Sequence, residues 1–417
     1  MKTVVPEGYK KTKVGIYPDD WKEIEVSKYV IDKKKFCNND DIPLYSLTIE
    51  EGVVPKSQRY ERSHLVKDNE DAYKYVEYGD FVYNPMNLRF GALAVHNEQK
   101  EVKVSAYYDV FGIKNDKVNL EYLYAYLKSE RIMFYYNRMA TGSLEEKKRV
   151  HYKEFKKFKF PMPLLKEQEK IAEILTTWDE AITKQTELLR AKELQKKALM
   201  QKLLSGEVRF DGFDDEWEEV RLGEIGNSFN GLSGKTGEDF GIGEAKYITY
   251  KNIFNYSKIK LDIFENVQIS NDEKQNLVQF GDIFFTVSSE TPEEVGMSSV
   301  LLDNVSNTYL NSFCFGYRLN NFNTLDPYFA RFYFRSFQMR DKISRLAQGS
   351  TRFNLSKNEI MKLKIKLPSL PEQQKIAEVL SLADDEINLL RNELIELKQQ
   401  KKALMQKLLT GEVRVKV

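Results

Sequence analysis

The residue types that most often carry chemistry are few and scattered in this chain. Three histidines (His64, His96, His151) and two cysteines (Cys37, Cys314) are widely spaced, without the close ligand spacing of a zinc site. Residues 230–237, NGLSGKTG, suggest a phosphate-binding loop at first sight. Such a loop needs a glycine five residues before that of Gly-Lys-Thr, and Phe229 stands there. Asn84-Pro85-Met86-Asn87 faintly suggests an adenine methyltransferase motif, but it lacks the second proline and the aromatic that would stack on a flipped base. No glycine-rich cofactor loop follows a strand upstream, and the acidic residues form no nuclease-like cluster. The chain is therefore expected to hold no catalytic residue and no metal.

Bulk properties narrow the class. A length of 417 residues implies two or more domains. With 41% hydrophobic and 30% charged residues, and no apolar run of the ~18 residues a span requires, the expectation is a cytoplasmic protein without membrane contact. The first residues, MKTVVPEGYKKTK, have no signal-peptide core. Net charge is only +1, but it is unevenly spread: residues 131–162 hold nine Lys/Arg against three Asp/Glu, and residues 318–366 hold eleven against three. Two basic stretches at matching places point to phosphate contact.

Those places match because the chain repeats. Residues 195–209, QKKALMQKLLSGEVR, return at 400–414 with Thr410 for Ser205 as the only change, and KEQEKIAEIL (166–175) is answered by PEQQKIAEVL (371–380). Weaker pairs follow in the same order. DDWKEIEV (19–26) matches DEWEEVRL (215–222), Gly79-Asp80 matches Gly281-Asp282, and Arg138 to Ser143 matches Arg345 to Ser350. A duplicated domain is implied, with boundaries at 1–162, 163–209, 210–366 and 367–417.

Segments 1–162 and 210–366 carry short aromatic and β-branched runs bounded by Gly, Asn or Pro, which read as strands. One amphipathic helix follows in each, over 121–138 and 326–346. Each segment is thus expected to be an α+β domain with a curved or barrel-like sheet.

Segments 163–209 and 367–417 read as long helices. In the second, Ile376, Leu380, Ala383, Ile387, Leu390, Leu394, Leu397, Lys401, Leu404 and Leu408 alternate steps of four and three, the signature of a coiled-coil seam. The first gives Ile171, Leu175, Trp178, Ile182, Gln185, Leu189, Lys192, Lys196, Leu199 and Leu203. About forty residues at ~1.5 Å each make a helix on the order of 60 Å long. Such a stripe needs a partner, and antiparallel pairing of the two copies is expected, with Gly206 and Gly411 as C-caps.

Two variable segments, each followed by a near-identical helix, resemble the specificity subunit of type I restriction-modification systems. The likeness rests on the EQ-x-KIAE openings (167–173, 372–378), the KKALMQKLL[ST]GEVR tails, Trp21 and Trp217, and the Gly-Asp turns at Asp80 and Asp282. It implies two homologous α+β target recognition domains separated by two long antiparallel coiled-coil helices in a pseudo-twofold arrangement. Each domain would read one half of a split, asymmetric site in double-stranded DNA. It also implies a non-catalytic chain that recruits two methyltransferase (modification) subunits and, in the full complex, restriction subunits. S-adenosylmethionine, ATP and Mg would then belong to those partners.

Base reading favours Arg, Asn, Gln, Ser and Thr on loops. In the first domain the candidates are Ser57, Gln58, Arg59 and Arg62, then Asn84, Asn87 and Arg89. In the second they are Ser288, Ser289 and Thr291, then Ser350, Thr351, Arg352 and Asn354. The loops differ in length and chemistry, so the half-sites should be unlike. The competing readings are a fused DNA methyltransferase or nuclease, and a purely structural coiled-coil adaptor.

Overall fold

The computed structural model describes residues 5–37, 39–56, 73–270 and 272–417. The chain divides into two compact units, Met1–Thr186 with Glu393–Val417, and Glu187–Asn392.

In the first unit a four-stranded antiparallel sheet is built from β1 (Val30–Asp32), β2 (Phe81–Tyr83), β3 (Leu93–Val95) and β4 (Asp109–Ile113), in the order β1–β4–β2–β3. Phe81 faces Phe111 across the β2–β4 ladder, and their rings stack at 4.9 Å. Helices α1 (Leu120–Leu127) and α2 (Glu130–Met139) follow, and their Tyr122, Leu123, Tyr126, Ile132 and Tyr136 are buried in the same core. Residues 165–186 of the long helix α3 (Leu165–Leu203) complete the unit together with 393–410 of its counterpart.

The second unit repeats this plan. Strands β5 (Gly226–Asn230), β6 (Ile283–Thr286), β7 (Ser298–Val300) and β8 (Cys314–Leu319) lie in the order β5–β8–β6–β7, again antiparallel. Helices α4 (Pro327–Tyr333) and α5 (Phe337–Ser344) follow, then residues 370–392 of the long helix α6 (Leu370–Thr410). In both units a two-stranded ladder joins the segment after the tryptophan to the strand before the long helix: Lys22–Glu25 with Lys159–Met162, and Glu218–Arg221 with Lys364–Leu367.

Two expectations change. The single helix expected in each domain is two, because Ser129 and Ser336 start a new helix at matching places. The Ser336 hydroxyl accepts the Met339 N–H, an N-cap bond that satisfies an amide with no acceptor inside the helix. Nor, among the described residues, do the strands close into a barrel. The shared sheet is accompanied by separate small sheets that differ between the units. The first unit pairs Tyr73–Val76 with Val102–Ser105 and carries the hairpin Tyr45–Thr48/Gly52–Pro55. The second has a three-stranded sheet centred on Phe240–Ile248. The scaffold is duplicated, and the added layer is not.

The long helices pair antiparallel within each unit. All the seam positions are buried or half-buried: Ile171, Leu175, Trp178 and Ile182 with Leu394, Leu397, Leu404 and Leu408 in the first, and Leu189, Leu199 and Leu203 with Ile376, Leu380, Ile387 and Leu390 in the second. Leucines off the seam (Leu188, Leu194, Leu382, Leu389) are exposed. Polar seam residues find partners: Lys192 pairs with Glu386 at 2.7 Å, and the Gln185 amide donates to Glu393 at 2.9 Å.

The motif residues that repeat do matching work. Arg414 clamps the buried Glu167 through Nε at 2.7 Å and Nη2 at 3.0 Å, and Arg209 clamps the buried Glu372 at 2.9 and 2.7 Å. Lys401 pairs with Asp179, and Lys196 with Asp384. The neighbouring glutamines hold the start of the domain helices. Gln168 accepts the Asn119 N–H at 3.0 Å and Gln373 accepts the Asp326 N–H at 2.9 Å, and Asn119 and Asp326 are the N-caps of α1 and α4. Each helix tail turns at a glycine with positive φ, Gly206 at 74° and Gly411 at 70°, a conformation that glycine adopts without strain. Trp217 and Trp21 lie directly against those turns.

Candidate nucleic-acid interface

The Gly-Asp turns precede β2 and β6. The Asp80 carboxylate accepts the Glu77 N–H, and Asp282 accepts the Gln279 N–H, both at 2.9 Å. Arg318 forks onto Asp282 at 2.7 and 2.6 Å. Burial raises both aspartate pKa values, with the turn N–H and a nearby cation acting against it. These aspartates fix turns and are not presented to a ligand.

Of the first unit's candidates, Ser57, Gln58, Arg59 and Arg62 lie outside the described residues. Asn84 and Asn87 are half-buried and shape the turn after β2. Asn84 Oδ1 accepts the Met86 N–H at 3.0 Å, and the Asn87 carbonyl accepts the Phe90 and Ala92 N–H groups. Arg89 corrects an expectation. It is buried, and its guanidinium donates to Asn137 Oδ1, Glu145 Oε1 and the Glu145 carbonyl at 3.1, 2.5 and 2.6 Å. It braces the loop 141–149, whose ends close through paired Thr141 and Arg149 backbone bonds of 2.9 Å.

In the second unit the structure joins two separate groups of candidates. Ser288 and Ser289 pair antiparallel with Asn354 and Phe353, and the hairpin from Gln348 to Asn354 closes through bonds of 2.9 and 2.8 Å. Ser350, Thr351, Arg352 and Asn354 are exposed, as is Thr291, whereas Ser288 and Ser289 are largely buried. The serines therefore act through the ladder more than by their hydroxyls. Tyr250 donates to the Ser288 carbonyl at 2.8 Å, and Ser289 Oγ to Glu294 at 3.1 Å. Around this ladder opens a pocket of about 390 Å³ lined by Tyr250, Phe254, Ser288, Ser289, Glu290, Glu294, Phe313 and Arg352. Tyr250 and Phe254 stack at 5.8 Å, and Phe313 is 63% exposed. The two aromatic segments come from distant parts of the chain, and no local pattern marks them as site residues.

The basic stretch 318–366 is less available than its composition suggests. Arg335 donates to the carbonyls of Ser298, Ile253, Phe254 and Tyr256, and Arg340 to those of Gly296, Glu293 and Val295. Burial lowers both pKa values to about 10. Arg331 is buried against Asp384. Arg352 is different: it is exposed, and its side chain has no ion-pair or hydrogen-bond partner among the described residues.

The duplication seen in the fold also appears in comparison with known families. Residues 19–191 and 214–399 each match the type I restriction modification DNA specificity domain. The chain belongs to this family. It carries two DNA specificity domains, and its role is recognition of DNA rather than fused catalysis. The putative type I restriction enzyme MjaX specificity subunit of Methanocaldococcus jannaschii is 27% identical, covering 98% of this chain and 97% of the relative. The MjaVIII specificity subunit of the same organism is 27% identical over 73% of this chain and 72% of its own. Among solved structures, the HsdS subunit from Thermoanaerobacter tengcongensis superposes with a TM-score of 0.52 at 17% identity, covering 95% of this chain and 98% of that one. The S subunit from M. genitalium gives 0.53 at 15%, covering 98% of both chains. A chain from a type I R-M system, in a structure of complex assembly, gives 0.58 at 16% over 95% and 99%. Among the described residues no helix is long and apolar enough to cross a membrane.

Proposed function

We propose that each unit of this DNA specificity protein reads one half of a bipartite, asymmetric duplex site in the cytoplasm, and that the paired helices set the gap between the halves. The observation that carries this reading is one scaffold built twice, with unlike loops, on two long helices. The same four-strand order supports a Glu- and Lys-containing loop at 141–149 in the first unit and an Arg352-tipped hairpin in the second. Two different readers call for two different half-sites. A stiff helical connection would fix their spacing, as half-site spacing does in dimeric DNA binders.

The helices also offer a place for two copies of one partner. Gln195, Lys197, Ala198, Gln201 and Lys202 face solvent, and so do the identical Gln400, Lys402, Ala403, Gln406 and Lys407. We assign these faces to two methyltransferase subunits, which would supply S-adenosylmethionine and methylate adenine. Restriction subunits using ATP and Mg would join them in the full complex.

Co-expression with the partner methyltransferase, followed by genome-wide mapping of methylated adenines, tests this. The expected result is a split motif with two unlike halves and a constant gap. A continuous or palindromic motif, or methylation without sequence preference, would overturn it.

A further inference from the structure

The pocket of the second unit holds opposite charges that leave each other unpaired. Ser288 pairs with Asn354 and Ser289 with Phe353, so the next positions of the same antiparallel register are Glu290 and Arg352. Both line the pocket, and both are exposed. Facing positions of this kind ordinarily attract when their charges are opposite. Neither side chain, however, has an ion-pair or hydrogen-bond partner among the described residues. Elsewhere in this unit neighbouring charges do pair: Lys235 with Glu273, Arg318 with Asp282, Arg209 with Glu372. Glu294, the other carboxylate of the pocket, is already taken by Ser289. One guanidinium fork and one carboxylate of the same pocket thus stand without a partner among the described residues.

Phosphate contact would account for Arg352 but not for Glu290, because a phosphate repels a carboxylate. Glu290 needs a neutral donor. In the major groove a G·C pair presents two acceptors on guanine, N7 and O6, beside the N4 amino donor of cytosine. An A·T pair places its amino donor between two acceptors and gives the fork no adjacent acceptor pair. The Tyr250, Phe254 and Phe313 rings wall the same pocket and offer apolar surface beside the two charged groups. We propose that Arg352 and Glu290 read one G·C base pair in the second unit's half-site, Arg352 on guanine and Glu290 on cytosine. The inference rests on the recognition function proposed above.

The test uses the full chain co-expressed with its methyltransferase partner, with methylated sites mapped for the wild type, Arg352→Gln and Glu290→Gln. Both side chains are exposed, so unchanged thermal unfolding of the variants serves as the folding control. Each variant should relax preference at the same G·C position by on the order of 10- to 100-fold, the discrimination of a single base contact. The other half-site and the gap should stay as they were, and they act as an internal reference. Three results overturn the inference alone: relaxation at two different positions, relaxation at no position, or a uniform loss across all sites in Arg352→Gln, which marks a phosphate contact. A wild type that methylates without a split motif defeats the recognition reading, and the inference with it.

Discussion

Asp384 and Asp179 occupy equivalent positions of the two long helices, yet the structure gives them unequal weight. Asp384 is shared by Lys196 and Arg331, whose side chains are 20% and 10% exposed. Arg331 packs on the Phe332 ring, and its Nε has no partner. Burial already pulls its pKa below the usual arginine value, against the support of Asp384. In Asp384→Asn the cation stays in place without its counter-charge. Breaking a buried pair from one side costs about 3–5 kcal/mol. Because Asp384 is 22% exposed, water will answer part of this, so we expect about 3 kcal/mol, on the order of a hundredfold in the unfolding equilibrium. Asp179 is 60% exposed and among the described residues pairs with Lys401 alone, with Tyr124 standing where the second unit has Arg331. Asp179→Asn should cost less than about 1 kcal/mol and shrink further in high salt. Urea titration with amide exchange followed in 165–186 and 370–392 separates the two units. Arg331→Met in the Asp384→Asn background should recover part of the loss, since it removes the orphaned charge. Equal costs for the two asparagine variants, or no recovery in the double variant, would refute the reasoning.

Gly411→Ala combines a positive φ with a Cβ position 2.4 Å from Pro18 Cγ, and should destabilise the first unit by roughly 2–3 kcal/mol, beyond the 1–2 kcal/mol of left-handed strain alone. Gly206→Ala meets only the Trp217 ring at 3.3 Å, so calorimetry should show a smaller drop in Tm. The Lys235 hydrogen bond holds the Glu273 pKa down to about 2. A depressed carboxyl stabilises the fold above the ordinary glutamate range and loses that contribution as pH falls toward 2. The Tm gap between wild type and Glu273→Gln should therefore narrow from pH 5 to pH 3, and a constant gap would exclude the linkage. Removing one heptad from each long helix shortens the pair by about 10 Å, roughly three base pairs. Methylome mapping should then show a shorter gap between unchanged half-sites, and an unaltered gap would rule out the spacer role.

The long helices were legible because their stripe is set by local periodicity, and Ile376 or Leu380 looks the same in sequence as in the folded seam. The break between α1 and α2 was readable in principle, since Ser129 and Ser336 are N-cap residues at matching positions, but a continuous run of aromatic residues hid it. Arg89 was misjudged for a different reason. Its type and its place after a turn suit base reading, but burial is a property of the fold, and Glu145, more than fifty residues later, takes its charge. The pocket aromatics failed the same way in reverse: Phe254 lies in the short helix Tyr250–Asn255 and Phe313 in the turn before β8, and they meet only through tertiary packing. Sequence points to Ser288–Thr291 and Ser350–Asn354 as two separate polar loops, and the fold joins them through the Ser288–Ser289/Phe353–Asn354 ladder.

The identity of the two tails needs a division that sequence alone could not make. Inward positions have internal reasons to be alike: Lys196 and Lys401 meet equivalent aspartates, Arg209 and Arg414 clamp equivalent glutamates, and Gly206 and Gly411 make the same turn. The outward positions do not share such a reason. In the first unit Lys402 and Gln406 reach Glu130 at 2.7 and 2.8 Å. The corresponding residue of the second unit is Phe337, 77% exposed, which can accept neither an ion pair nor an amide hydrogen bond. Lys197 and Gln201 are nonetheless the same residues as Lys402 and Gln406. Packing within the chain explains the pair in one unit only, so the sameness of the outward faces falls to something that meets both of them. That is the specific weight the docking proposal carries, and it rests on Lys197, Gln201 and their copies rather than on the helix repeat as a whole.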